Sequence, residues 1–235
     1  MASRVIKRST KPNNRHLPRV LCLHGAGSSG AIFRIQTRAL QKALQHHFRL
    51  IFLDAPIEST PGPGILPVFE GAGPYFRWTD TDANKAWKVI QQVLNNPDGA
   101  PFVGILGFSE GATVIADILH RLQNDDGAAA VIPRLGFCVL MAATMLHIES
   151  PPLDARIQMP TIHVHGSSDH VLEECKQLLT EFFDPTCSEV LRWEGPHEVM
   201  VQKADYSKFL LYQKWLHRRD DQEDYYTTHG VGQQN

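Results

Sequence analysis

A chain of 235 residues, 43% of them hydrophobic, is long enough to bury one large core, and one domain is expected rather than several. The formal net charge of −2 gives no sign, in total, of a nucleic-acid or membrane-surface partner, and no apolar run approaches the length of a membrane span. Cys22, Cys138, Cys175 and Cys187 are scattered, without CxxC or metal-ligand spacing, so buried thiols in a reducing compartment, the cytosol, are expected.

Residues 1–17, opening "MASRVIKRSTKPNNRH", are basic and lack the apolar centre of a secretory signal. Arg and Ser without acids could also pass for an organelle transit peptide, but a flexible, solvated arm is the simpler reading. Apolar runs bounded by turn signals then predict strands at "RVLCLHG" (19–25), "FRLIFLDAP" (48–56), "FVGILGF" (102–108), "LGFCVLMAA" (135–143), "PTIHVHG" (160–166) and "SEVLRWEG" (188–195). Helical periodicity predicts helices near 31–47, 83–95, 110–124, 171–183 and 203–218. Strands that alternate with helices and lack polar alternation imply an α/β fold, with a mostly parallel central sheet of about six strands covered on both faces. The expected domain runs over 18–218, and 219–235 reads as a polar, frayed tail.

One stretch breaks the alternation. "APIESTPGPGILPVFEGAGPYFRWTD" (55–80) is dense in Pro and Gly yet carries Phe69, Tyr75, Phe76 and Trp78. Disordered loops seldom hold so many aromatics, and long ordered loops in compact domains are usually functional. It is either an irregular loop packed on the core or an inserted segment forming the wall of a binding pocket. The second reading makes those four aromatics candidate substrate contacts.

In "VGILGFSEGATVIADIL" (103–119) a strand becomes a helix with almost no loop between them. A serine hydroxyl is a poor nucleophile without a neighbouring base, and a tight strand-to-helix bend lifts its oxygen to where base and substrate can reach it. Gly107-Phe108-Ser109-Glu110-Gly111 has the GxSxG spacing of such an elbow in its proper context, and Ser109 is the candidate nucleophile. Acid and base should follow in that order, each just after a later strand. Asp169 follows the 160–166 strand and His197 the 188–195 strand, so Asp169 would orient the imidazole and His197 would shuttle the proton. His170 rivals His197 but leaves no later base; Glu194 and Glu198 rival Asp169 but, flanking His197, read as solvated.

The oxyanion formed in acyl transfer needs donors. The backbone N–H of Glu110, at a helix start, is one candidate; Ala26 in "LHGAGSSG" is the other, with Gly27 next. That glycine-rich loop lacks the GK[ST] ending of a P-loop and the full GxGxxG of a dinucleotide site, so no nucleotide cofactor is expected. "HVHGSSDH" approaches an HxHxDH metal pattern, but three residues separate His165 from Asp169; packed imidazoles are the better reading and no metal site is expected.

With these residues placed, the chain resembles the fungal serine hydrolase family of α/β-hydrolases. The resemblance is carried by "RVLCLHGAGSSGAIFRIQTRAL", "FRLIFLDAP", "GILGFSEGA", "PTIHVHGSSDHV" and "EGPHEV". Because the chain starts close to the first of these, the sheet should lack the extra antiparallel strands that open larger α/β-hydrolases. "GPGILPVFEGAGPYFRW" looks like the subgroup associated with polyketide biosynthesis, whose members are thioesterases that release a finished acyl chain from a synthase's acyl-carrier domain. The resemblance implies an acyl thioester or ester substrate and a carrier-domain partner, without a cofactor. Carboxylesterase activity on small soluble esters, or a binding protein on a hydrolase scaffold, remain the alternatives.

Overall fold

The computed structural model describes residues 14–80, 84–123, 135–146 and 150–199. Of the arm expected over 1–17, residues 1–13 lie outside the described residues, as do the helix over 203–218 and the tail over 219–235, while Asn14–His16 form a 3-10 helix. In chain order the elements are β1 (Arg19–Leu23), α1 (Gly30–Gln36), α2 (Arg38–Leu44), β2 (Arg49–Leu53), β3 (Ile57–Ser59), β4 (Tyr75–Arg77), α3 (Asn84–Leu94), β5 (Phe102–Phe108), α4 (Glu110–Gln123), β6 (Phe137–Met141), β7 (Thr161–Gly166), α5 (Leu172–Phe182) and β8 (Ser188–Trp193).

Six strands form one sheet in the order β2-β1-β5-β6-β7-β8, every neighbouring pair parallel. The order reverses at β1, with β2 placed on one side and β5 on the other, so all carboxyl ends share one edge and the loops after β1 and β5 meet there. Both faces are covered, which is why the strands read as continuous apolar runs. Alternate residues of β1 divide between two cores. Leu21 and Leu23 join Ile105, Cys138 and Leu140 against α3, α4 and α5 through Ile90, Ile115, Leu119, Leu178 and Phe182. Val20 and Cys22 join Leu106, Val139, Ile162 and Val164 against Phe33, Leu40 and Leu44 of α1 and α2. Each such side chain, fully buried, contributes about 1.5–3 kcal/mol.

Two expectations are corrected. The single helix expected over 31–47 is two, with Thr37 between them at φ −85° and ψ 12°. Its hydroxyl donates back to the Phe33 carbonyl at 2.7 Å, a bond that bends helices, while Gln41 N–H still reaches the Thr37 carbonyl at 2.9 Å. The second correction concerns 55–80, whose two ends pair as an antiparallel ribbon, Ile57 opposite Arg77 and Ser59 opposite Tyr75. The ribbon is fixed to the main body where Phe76 N–H donates to the Ser28 carbonyl at 2.7 Å.

Candidate active site

At the end of β5 the chain turns into α4 through Ser109, whose φ of 51° is in the left-handed region. A non-glycine residue there is uncommon and strained, and the surroundings hold it in place. Ser109 N–H donates to the Met141 carbonyl at 2.9 Å, and its own carbonyl accepts from Ala112 and Thr113 at 2.9 and 3.0 Å. The flanking glycines are needed for space. A Cβ on Gly107 would lie 2.6 Å from Ala112 N, and one on Gly111 would lie 2.5 Å from the carbonyl oxygens of Leu23 and His24.

Ser109 Oγ lies 2.9 Å from His197 Nε2. His197 Nδ1 is 3.0 Å from both carboxylate oxygens of Asp169. The three residues come from the loops after β5, β7 and β8, and the last two loops are stitched together: Ser167 N–H donates to the Trp193 carbonyl at 2.9 Å and Ser168 N–H to that of Gly195 at 3.0 Å. Asp169 is buried, its side chain only 1% exposed, and one oxygen also accepts from Val171 N–H at 2.9 Å. A buried carboxylate on Nδ1 selects the tautomer with its proton there, leaving Nε2 free to accept from a hydroxyl. His170, the rival base, points mostly to solvent, its ring edge-on to that of His197 at 4.8 Å. Glu198 lines the cavity described below, whereas Glu194 does not.

Glu110 opens α4, so its N–H is among the first-turn donors with no intrahelical partner. Ala26 lines the same cavity as Ser109. The loop carrying Ala26 is fixed by His24, a residue that sequence reasoning passed over. Its Nδ1 donates to the Gly25 carbonyl at 2.8 Å and its Nε2 accepts from Ala55 N–H at 3.1 Å. That pairing requires the neutral ring, and burial holds the His24 pKa below the usual histidine range, partly offset by the Gly25 hydrogen bond. The only sequence signal was position: a histidine ending a strand just before a glycine-rich loop.

The cavity beside Ser109 has a volume of about 530 Å3. Its apolar wall is built from Ile65, Val68, Phe69, Phe108, Val171 and Val199. Of the four aromatics expected there, Phe69 alone is a wall residue. Tyr75 instead braces it, its hydroxyl donating to the Phe69 carbonyl at 2.7 Å. Phe76 packs on the core. Trp78 is 1% exposed, part of the core, with its indole N–H donating to the His24 carbonyl at 2.8 Å. The physical reason is the ribbon: residues 75–77 are a paired strand, so the approach to Trp78 runs along the body of the protein while the residues between the strands reach the cavity. Glu110 anchors that end, its carboxylate accepting from Trp78 N–H at 2.9 Å, Thr79 N–H at 3.2 Å and the Thr79 hydroxyl at 2.5 Å.

Other reactive groups are quiet. Burial pushes the Cys22 and Cys138 thiols far up and Cys175 up to about 12, so none of these three supplies a thiolate at neutral pH. His163 and His165 are buried on β7 with rings 6.1 Å apart, His163 edge-on to Phe183. Burial above all brings their pKa values down to about 3 and about 4. Among the described residues, Asp169, His170 and His197 bring three ligand-type atoms within 4.8 Å of one another. The Asp169 carboxylate and His197 Nδ1 are already engaged with each other, so a metal there would have to dismantle that hydrogen bond.

A parallel sheet with a serine elbow and a later acid and histidine on one edge defines an α/β-hydrolase. Residues 14–209 match the family model described as Serine hydrolase (FSH1), and the chain belongs to that family. It is 34% identical to esterase mlcF of Penicillium citrinum, over 83% of this chain and 90% of that protein. It is 29% identical to thioesterase FSL2 of Gibberella zeae, over 85% of this chain and 92% of the other. In fold it is similar to the crystal structure of esterase PE8, with a TM-score of 0.59 at 18% identity, covering 83% and 92% of the two chains. No described helix is long and apolar enough to cross a membrane.

Proposed function

We propose that Ser109, His197 and Asp169 act as a catalytic triad that cleaves acyl thioesters, releasing a polyketide acyl chain from the acyl-carrier domain of a synthase. The observation that carries this reading is an unbroken hydrogen-bonded relay from Ser109 to Asp169 opening on a cavity with an apolar wall. Ser109 Oγ attacks the thioester carbonyl as its proton passes to His197 Nε2, and the N–H groups of Glu110 and Ala26 hold the oxyanion. The intermediate collapses to an acyl-serine, and the departing thiol takes the proton from His197. Water, deprotonated by the same imidazole, then attacks the acyl-serine, and the free acid leaves with Ser109 restored. The chemistry needs no cofactor.

Thioesters and oxygen esters use the same relay, so the preference rests on the cavity wall, on the sequence of 63–79 and on the thioesterase among the relatives. A carboxylesterase of small soluble esters is the second reading, favoured by relatives named as esterases. Matched octanoyl thioester and oxygen-ester substrates separate the two: a higher kcat/KM for the thioester is expected, and clear preference for a short oxygen ester would reverse the assignment. Labelling by a fluorophosphonate, read by intact mass, tests turnover competence against a third possibility, a binder on a hydrolase scaffold. A protein that stays unlabelled is a binder.

A further inference from the structure

The net charge of −2 conceals a sharp asymmetry: the first 53 residues contain ten of the 23 Lys and Arg and none of the 25 Asp and Glu. Four of those cations, Arg34, Arg38, Lys42 and Arg49, stand exposed on α1, α2 and the start of β2. The ion pairs found among the described residues involve none of the four. Arg34, Arg38 and Lys42 are spaced four apart along two helices joined by continuing backbone hydrogen bonds, so they form one stripe.

The stripe adjoins the mouth of the site. α1 is a ridge between two hollows, giving Gln36 to the cavity beside Ser109 and Arg34 to a second cleft of about 530 Å3 along edge strand β2. Arg49, Gln41 and Gln45 also line that cleft. On the ridge Ile35 is 59% exposed, and across the cavity Leu66 and Val68 are 49% and 78% exposed. Three of the four large apolar side chains exposed among the described residues thus lie on segments framing the mouth. A few apolar contacts bordered on the α1–α2 side by cations that form no ion pair among the described residues suit a transient protein interface, with Asp54 and Glu198 as the carboxylates lining the two hollows.

We infer that the α1–α2 face, with Arg34, Arg38 and Lys42 beside Ile35, is the docking surface for a carrier domain whose own face, around its pantetheine attachment, is acidic. This rests on the thioester-release reading and names the partner surface it requires. A lipid surface fits less well. An interfacial helix needs a wide apolar face turned outward, whereas α1 has seven residues and buries Ile32 and Phe33 in the core. The carrier's arm also solves a geometric demand, because the thioester must reach Ser109 inside the cavity while its carrier stays on the ridge.

The test compares one acyl chain on two supports: an octanoyl-pantetheinyl carrier domain and octanoyl-N-acetylcysteamine. Arg34→Glu with Arg38→Glu should lower kcat/KM on the carrier by about tenfold or more and leave the small thioester unchanged. For the unaltered enzyme the carrier reaction should be faster at about 0.05 M than at about 0.5 M NaCl, and the small thioester indifferent to salt. Ile35→Ser should weaken the carrier reaction alone. Carrier rates unmoved by charge reversal and by salt would overturn the docking surface while leaving carrier release standing. An unaltered enzyme that cleaves the small thioester but not the carrier-bound one would overturn both. Equal losses on both substrates would make these residues part of the site rather than of a docking face. Binding to phosphatidylserine vesicles that charge reversal abolishes, without effect on the carrier reaction, would assign the face to membrane instead.

Discussion

Ser109 occupies its left-handed backbone position whatever its side chain, because the hydrogen bonds that hold it there are made by its peptide groups. Ser109→Ala keeps the Cβ and removes only the hydroxyl. It should therefore keep the melting temperature and abolish turnover, by roughly a million-fold on the scale of comparable triad deletions. A residual rate above about a hundredth of the original would mean another nucleophile. Asp169→Asn preserves shape but turns an acceptor pair into an amide that favours the other imidazole tautomer, with an expected loss on the order of ten thousand-fold in kcat. Near-normal turnover would pass the acid role to another carboxylate, Glu198 being the one that lines the cavity.

At the scale of elements, the 55–80 segment divides its aromatics by role, and two substitutions can separate them. Trp78→Ala empties a fully buried site and breaks the indole bond to His24. It should cost about 3–5 kcal/mol of stability and reduce rates on acetyl and long acyl substrates together. Phe69→Ala changes the cavity wall instead, and should lower kcat/KM about tenfold for a long acyl thioester while sparing p-nitrophenyl acetate. The same selective loss in Trp78→Ala, at an unchanged melting temperature, would return Trp78 to the wall. This is where reading the chain alone reached its limit. An elbow is a local object, written in the glycines and in the change of periodicity around Ser109, and parallel topology dictates that Asp169 and His197 share its edge. Which aromatics of 55–80 face the cavity depends on a pairing between Ile57–Ser59 and Tyr75–Arg77, and strands of three residues carry too little pattern to announce themselves. The break at Thr37 was hidden for a related reason, since helical spacing continues straight through a bend.

Across the whole molecule, β7 carries a cost that pH exposes. His163 is buried and neutral in the folded protein, with its pKa brought down to about 3, chiefly by burial, whereas in the unfolded chain it titrates near the ordinary value of about 6.5. Below that value the unfolded state binds the extra proton, so stability is full above about pH 6.5 and is lost as pH falls toward the folded value. By pH 5 this one group should remove roughly 2 kcal/mol, and His165, lowered in the same direction, adds to the loss. Urea midpoints at pH 7.5 and pH 5, with His163→Gln as the control, measure it. The prediction fails if the drop is the same in both proteins. The ribbon has a consequence on a longer timescale. Its two ends are tied, one by Ala55 N–H to His24 and Gly62 N–H to the Gly27 carbonyl, the other by Phe76 to Ser28 and by Trp78 and Thr79 to Glu110, while Ile65, Val68 and Phe69 lie on the span between them and face the cavity. Substitutions in that span can alter which substrate fits while the ties keep Ser109 and the loop carrying Ala26 in register. Inheritance can thus retune selectivity one side chain at a time, and drift in 63–72 leaves the hydrolytic apparatus intact as a platform for new substrates.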